Sequence, residues 1–291
     1  MAILPFRSTN SGVRSKNPIA PMGKVLEIDN YDLNEALQLV SAYGVDRFGY
    51  VVTPNVDHII RHSQDGAFRA LYAQATYSFL DSRFLANLLG AFKPQRIRVC
   101  LGSDLTGAIL RCVINSDDVA ILVGGCEGQA EELRKKYKLN SLLHIEPPMN
   151  LINNEEAIEE CLQAIEAASP FRFCFLAIGS PQQEIVAFKL KERGRARGLA
   201  LCIGAAVNFL TGVEKRAPLF MQQMGFEWLY RLMRDPKRLA RRYLVRGPRI
   251  FPLLWKLDIR LRRPTAIGEG NREPARTTAT TRPISDSGSA A

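Results

Sequence analysis

The residue types most able to do chemistry in this chain gather at turns. Gly102-Ser103, Gly124-Gly125 and Gly179-Ser180 each stand between an apolar run and a helical pattern. Backbone N–H groups at such junctions, aided by the helix dipole, are able to cradle a phosphate. Gly124-Gly125 alone is a weak signal, because glycine after a strand is often only a tight turn; beside the other turns it gains weight. Thr53 and Asn55, Asp104 and Thr106, and Gln183 offer hydroxyl, carboxylate and amide groups to a sugar or phosphate. The same side chains equally suit ordering their own loops or capping a helix. Arg216, Arg231, Arg238 and Arg241 fit diphosphate recognition, since guanidinium meets phosphate oxygens two at a time. A solvated arginine face is the ordinary alternative.

These residues need a frame to hold them. Short β-rich runs end at glycine four times: Ile97–Gly102, Val119–Gly124, Phe173–Gly179 and Leu199–Gly204, each resembling a buried parallel strand. Helical patterns lie at about 33–43, 57–74, 104–112, 127–138, 155–168 and 182–193. Such alternation predicts an α/β fold, a doubly wound, mostly parallel, Rossmann-like sheet. Ligands of open α/β sheets bind beyond the carboxyl ends of the strands, so Thr53, Gly102, Gly124, Gly179 and Gly204 should gather along that edge.

Charge divides the chain further. Of 39 basic and 29 acidic side chains, residues 1–210 carry 22 of each, residues 211–263 carry 14 and 4, and residues 264–291 carry 3 and 3. A neutral body with one basic helical C-terminal appendage suggests local docking of something anionic. Within the appendage, Asp235-Pro236 predicts a helix start and Gly247-Pro248 a stop, giving one helix over 236–246. On it Leu239, Ala240, Tyr243 and Leu244 share a sector beside Arg238, Arg242 and Arg246. With Phe251, Trp255, Lys256 and Arg263 beyond, the segment suits a lipid headgroup boundary, or else packs on the core with a solvated basic face.

The domain reading is therefore a disordered N-terminus over 1–20, a core over 21–210, the appendage over 211–263 and a disordered tail over 264–291. No apolar stretch reaches the roughly 18 to 20 residues that span a bilayer. The six cysteines show no C-x-x-C spacing, and Cys100, Cys174 and Cys202 lie in apolar runs, which predicts reduced core thiols and a cytosolic setting.

Four stretches stand in order: Thr53-Pro54-Asn55-Val56-Asp57-His58; Leu80-Asp81-Ser82-Arg83; Gly179-Ser180-Pro181-Gln182-Gln183-Glu184; and Gly204-Ala205-Ala206-Val207-Asn208-Phe209-Leu210-Thr211-Gly212 with Arg216-Ala217-Pro218, Phe226-Glu227-Trp228 and Asp235-Pro236 after it. Together they resemble the WecG/TagA/CpsF family of glycosyltransferases, glycosyltransferase family 26, over about residues 24–250. Ser82 stands where the family usually has glycine, Gln182 where it has lysine, and Asn208 where aspartate is common.

The resemblance implies sugar transfer from a nucleotide-sugar donor to an undecaprenyl-diphosphate-linked saccharide. It implies inversion at the anomeric carbon, with no cofactor and no metal, at the inner face of the cytoplasmic membrane. Asp81 is then the matched general base, its alternative role being the cap of the helix that follows; His58 and Asp57 are its rivals. Thr53, Asn55, Gly102, Asp104, Gly124, Gly125, Gly179, Gln183 and Gly204 form the expected donor set, and Arg216, Arg231, Arg238 and Arg241 the acceptor and diphosphate set.

A non-catalytic α/β protein gripping nucleic acid or lipid through its basic segment is the rival reading, but no zinc finger, RNP pattern or helix-turn-helix accompanies that segment, so no nucleic-acid partner is expected. No G-x-G-x-x-G follows the first strand, which leaves a dinucleotide oxidoreductase without support. A homo-oligomer stays open.

Overall fold

The computed structural model describes residues 25–92, 97–254 and 258–262. The expected disordered ends at 1–20 and 264–291, with Trp255, Lys256 and Arg263, lie outside the described residues.

Six parallel strands form the main sheet: β2 (Phe48–Val52), β3 (Tyr77–Ser78), β4 (Ala120–Val123), β5 (Leu142–Ile145), β6 (Phe173–Leu176) and β7 (Gly198–Cys202). Their spatial order is β3-β2-β7-β6-β4-β5. The central strands are apolar at every position because both faces are covered. Alternate residues feed two cores. Tyr50, Val52, Ile121, Val123, Cys174, Leu176, Ala200 and Cys202 enter one; Val51, Ala120, Leu122, Phe173, Phe175, Leu199 and Leu201 enter the other.

Helices α2 (Val56–Gln64), α3 (Gly66–Ala73), α4 (Arg83–Phe92), α7 (Glu155–Ala167) and α8 (Gln182–Arg193) supply the first core. Helices α1 (Leu33–Ser41), α5 (Gly102–Cys112), α6 (Glu127–Tyr137) and α9 (Ala206–Leu210) supply the second. The fold is thus the doubly wound, Rossmann-like α/β sheet that the alternation predicts. The described cysteines are all free thiols, with Cys100, Cys161, Cys174 and Cys202 buried.

Four details depart from the sequence-based expectation. The run 97–101 is not a ladder strand: it passes the sheet edge on isolated bonds, Cys100 N–H to Leu80 O at 3.1 Å and Arg98 N–H to Asn30 Oδ1 at 2.7 Å. The helix expected over 57–74 is two, because Asp65 adopts an extended backbone, ends α2 and caps α3 through Ala67 N–H at 2.8 Å. A second parallel pair, β1 (Val25–Asp29) with β8 (Asp258–Arg262), brings the C-terminal segment back to the start of the chain.

The fourth concerns the basic segment, which contains α10 (Leu219–Gln223), α11 (Glu227–Arg234), α12 (Pro236–Ala240) and α13 (Ile250–Leu254). The helix expected to stop at Gly247 continues as a π-helical stretch, Arg241–Arg246, and a 3-10 turn, Gly247–Arg249, into α13. Gly247 N–H reaches the carbonyl of Arg242, five residues back, and Pro248 opens the next turn, where its missing N–H costs nothing. The wider turn also breaks the shared sector: Leu239 is 7% exposed, but Leu244 is 59% exposed. Ile250 and Ile259 are buried with the first core, so this segment is built into the body as well as carrying its charge.

Candidate active site

The carboxyl ends of β2, β6 and β7 open onto a cavity of about 690 Å³, and the basic segment forms its far wall. On the sheet side stand Thr53, Asn55, Asp81, Gly179, Gln183 and Gly204; from the far wall come Glu227, Trp228, Arg231, Arg238, Arg242 and Tyr243.

Most of the sheet-side groups serve the loops as well as the cavity. Thr53 Oγ donates to the Cys202 carbonyl at 3.1 Å, tying the end of β2 to the end of β7. Asn55 caps α2, its Oδ1 accepting from Asp57 N–H at 3.1 Å, and the same oxygen meets Arg242 Nη2 at 3.4 Å. Gln183 is 2% exposed; its Oε1 accepts Gly204 N–H at 2.9 Å and its Nε2 donates to Glu184 Oε1 at 3.0 Å. Burial holds the Glu184 carboxyl above its usual range, with the Gln183 amide pulling the other way.

Asp81 lies at the floor, after β3. Its Oδ1 accepts Gly102 N–H, the first residue of α5, at 3.0 Å. It does not cap α4: Ser82 holds that position, with Oγ accepting Leu85 N–H at 3.1 Å. The Asp81 carboxylate is therefore spared for other work. Burial pushes its pKa up to about 7, against the pull of Gly102 N–H and the positive charge of Arg231. A half-buried carboxyl that titrates near neutrality, in a cavity, can take up a proton from a hydroxyl and release it again.

The two rivals are placed otherwise. Asp57 is paired with Arg61 at 3.4 Å. His58 is buried, with Nδ1 3.1 Å from the Tyr72 hydroxyl, and burial followed by the Arg242 charge lowers its pKa to about 3, so it stays neutral.

Several expected site residues lie outside this cavity. Gly124 and Gly125 follow β4 and do not line the cavity. Gly124 is required by its own turn: its φ is +91°, and a Cβ there would meet Ile178 Cγ2 at 2.8 Å. Gly102 acts through its N–H on Asp81. Asp104 forms an ion pair with Arg216 and lies 3.9 Å from Arg83, so its carboxylate is engaged by side chains. Asp104 and Arg216 line an adjoining basic cavity of about 630 Å³ with Arg111, Lys136 and Lys138, and Ser103 and Phe209 border both spaces.

Of the four arginines expected, Arg231 and Arg238 reach the main cavity; Arg241 is exposed and does not. Arg242 takes its place, as the i, i+4 spacing from Arg238 would have indicated. Trp228, which carries no role among the expected site residues, packs between Phe84 and Tyr243 on the cavity wall, with ring centroids 6.2 and 5.9 Å away. Its position in Phe226-Glu227-Trp228 was the available signal. Asn208, at the aspartate position, accepts from Gln129 Nε2 at 3.0 Å and donates to Glu214 at 3.2 Å. An aspartate there would set two carboxylates against each other.

The profile of the glycosyl transferase WecG/TagA/CpsF family matches residues 24–264, which takes in the whole cavity and its arginine wall. The chain belongs to this family. As a WecG/TagA/CpsF glycosyltransferase it acts in cell-surface polymer synthesis, on a nucleotide-sugar donor and a lipid-linked acceptor.

Proposed function

We propose that the chain moves a hexose or N-acetylhexosamine, of the N-acetylmannosamine type, from a UDP-sugar to a polyprenyl-diphosphate-linked saccharide, with inversion and without a metal. One observation carries this reading: a carboxyl poised near neutrality faces a wall of arginines across a single cavity.

In the reaction the acceptor hydroxyl gives its proton to Asp81 as its oxygen bonds to the anomeric carbon. The bond from that carbon to the diphosphate oxygen breaks on the opposite face. The departing UDP carries away the electron pair, and Arg231, Arg238 and Arg242 meet its charge. Thr53, Asn55 and Gln183 line the donor side, where Gly179 and Gly204 bring backbone close to the sugar and phosphates.

A peripheral site at the inner face of the cytoplasmic membrane fits the exposed Leu244, Val245 and Phe251, which lie among Arg241, Arg246 and Arg249. Among the described residues no helix is long and apolar enough to cross a membrane.

The test offers the purified full chain a panel of UDP-hexoses with a polyprenyl-diphosphate saccharide and follows extension of the lipid, reading the new linkage by NMR. The expected product has the anomeric configuration opposite to the donor's. A retained configuration, or no extension with any member of the panel, overturns the reading.

A further inference from the structure

We propose that Phe209 is a positioning residue that holds the guanidinium groups of Arg216 and Arg231 where the two cavities meet. The inference rests on the proposed role of Arg231 in binding the donor diphosphate, and it adds Arg216, from the adjoining cavity, to the same task.

Phe209 is on α9, half-buried, and borders both cavities. The Arg231 guanidinium carbon lies 4.6 Å from its ring centroid and that of Arg216 lies 5.7 Å away. Two guanidinium groups beside one ring repel each other, and attraction of each to the negative π face offsets part of that repulsion. Each arginine also has one carboxylate tether, Arg216 to Asp104 and Arg231 to Glu227 at 3.4 Å. A carboxylate fixes one end of a long side chain, and attraction to the ring gives the guanidinium a second hold. Planar donors must be presented flat to bind phosphate oxygens in pairs. The three residues come from three elements, α9, the loop after it and α11, so the ring also registers the basic segment against the sheet.

The arrangement reaches Asp81. Charged and titratable groups acting on that carboxyl are Arg231, Glu227 and Asp104, and Cys100 and Tyr72 are in turn influenced by it; of the first three only Arg231 favours the ionised form. Loss of the ring should let Arg231 swing away, which weakens diphosphate binding and makes Asp81 harder to ionise. A residue that merely fills space would change neither selectively.

The experiment titrates UDP into the full chain by calorimetry and follows Asp81 ionisation by carboxyl-carbon NMR, assigned with Asp81→Asn. Phe209→Leu and Phe209→Met remove the ring and keep an apolar side chain; Phe209→Tyr restores it. Thermal midpoints establish that each variant is folded. Expected is an affinity loss of about tenfold in both ringless variants, an upward move of the Asp81 midpoint matching that in Arg231→Met, and near-parental values in Phe209→Tyr. If Arg216→Met and Arg231→Met lose affinity while the ringless variants keep parental affinity and midpoint, the positioning role falls and the diphosphate reading stands. If the arginine variants themselves bind UDP like the parent, the diphosphate reading falls and the inference with it.

Discussion

The backbone N–H of Gly102 donates to Asp81 Oδ1 at 3.0 Å across 21 residues of sequence, joining the turn after β3 to the first residue of α5. This bond stabilises the ionised carboxylate in surroundings that otherwise disfavour it, and the balance leaves Asp81 titrating at about 7.

The pH dependence follows. A base must be ionised to act, so turnover should rise with pH through about 7 and then level. Stability should move the opposite way. The folded state keeps a proton that the unfolded carboxyl releases at its ordinary lower pKa, so this group's contribution is lost as pH rises through the folded value. Asp81→Asn should thus melt above the parent at pH 8 and lose that advantage at pH 4. Thermal scans at both pH values, beside a pH–rate profile, check this.

Gln183 joins the donor side of the cavity to Gly204. Gln183→Leu removes the acceptor of Gly204 N–H and one of the donors to the Glu184 carboxyl, which should cost about 1–3 kcal/mol. Urea unfolding of the two proteins should show a lower midpoint with unchanged slope, together with weaker UDP binding.

Chelation should leave transfer largely intact, because guanidinium groups are proposed to meet the diphosphate charge. Turnover with EDTA within about twofold of the untreated enzyme is the expected result. Complete loss, restored by Mg²⁺ or Mn²⁺, would contradict it.

Much of this was legible in the sequence. The glycine-ended apolar runs mark β4, β6 and β7, because strands buried on both faces must be apolar throughout. Length hid the rest: Tyr77–Ser78 is two residues long, and β1 and β8 pair across most of the chain. The lining of the candidate cavity is legible where a motif residue faces it, as at Thr53, Asp81 and Gln183. It was not readable where backbone geometry intervened. The π-helical stretch carries the chain through Gly247, where the sequence predicts a stop, and no local signal marks the wider turn.

The lipid surface can be tested without truncation, which would strip β8 from β1 and take Ile250 and Ile259 out of the first core. In the full chain, replacing exposed Arg241, Arg246 and Arg249 by Gln should remove roughly 1 kcal/mol of attraction to anionic lipid per charge. Co-sedimentation with phosphatidylglycerol vesicles at low salt should fall accordingly, while UDP binding holds. Equal pelleting of parent and variant would show that this face does not dock on lipid.

The central claim is that Asp81 removes the acceptor proton, and the most direct measurement is the transfer rate of Asp81→Asn beside its affinity for UDP. Asparagine keeps the shape and can still accept Gly102 N–H through its amide oxygen, but it cannot take up the proton. Turnover should fall by about 10²- to 10⁴-fold while UDP binding survives. Turnover within about threefold of the parent would remove Asp81 from the mechanism.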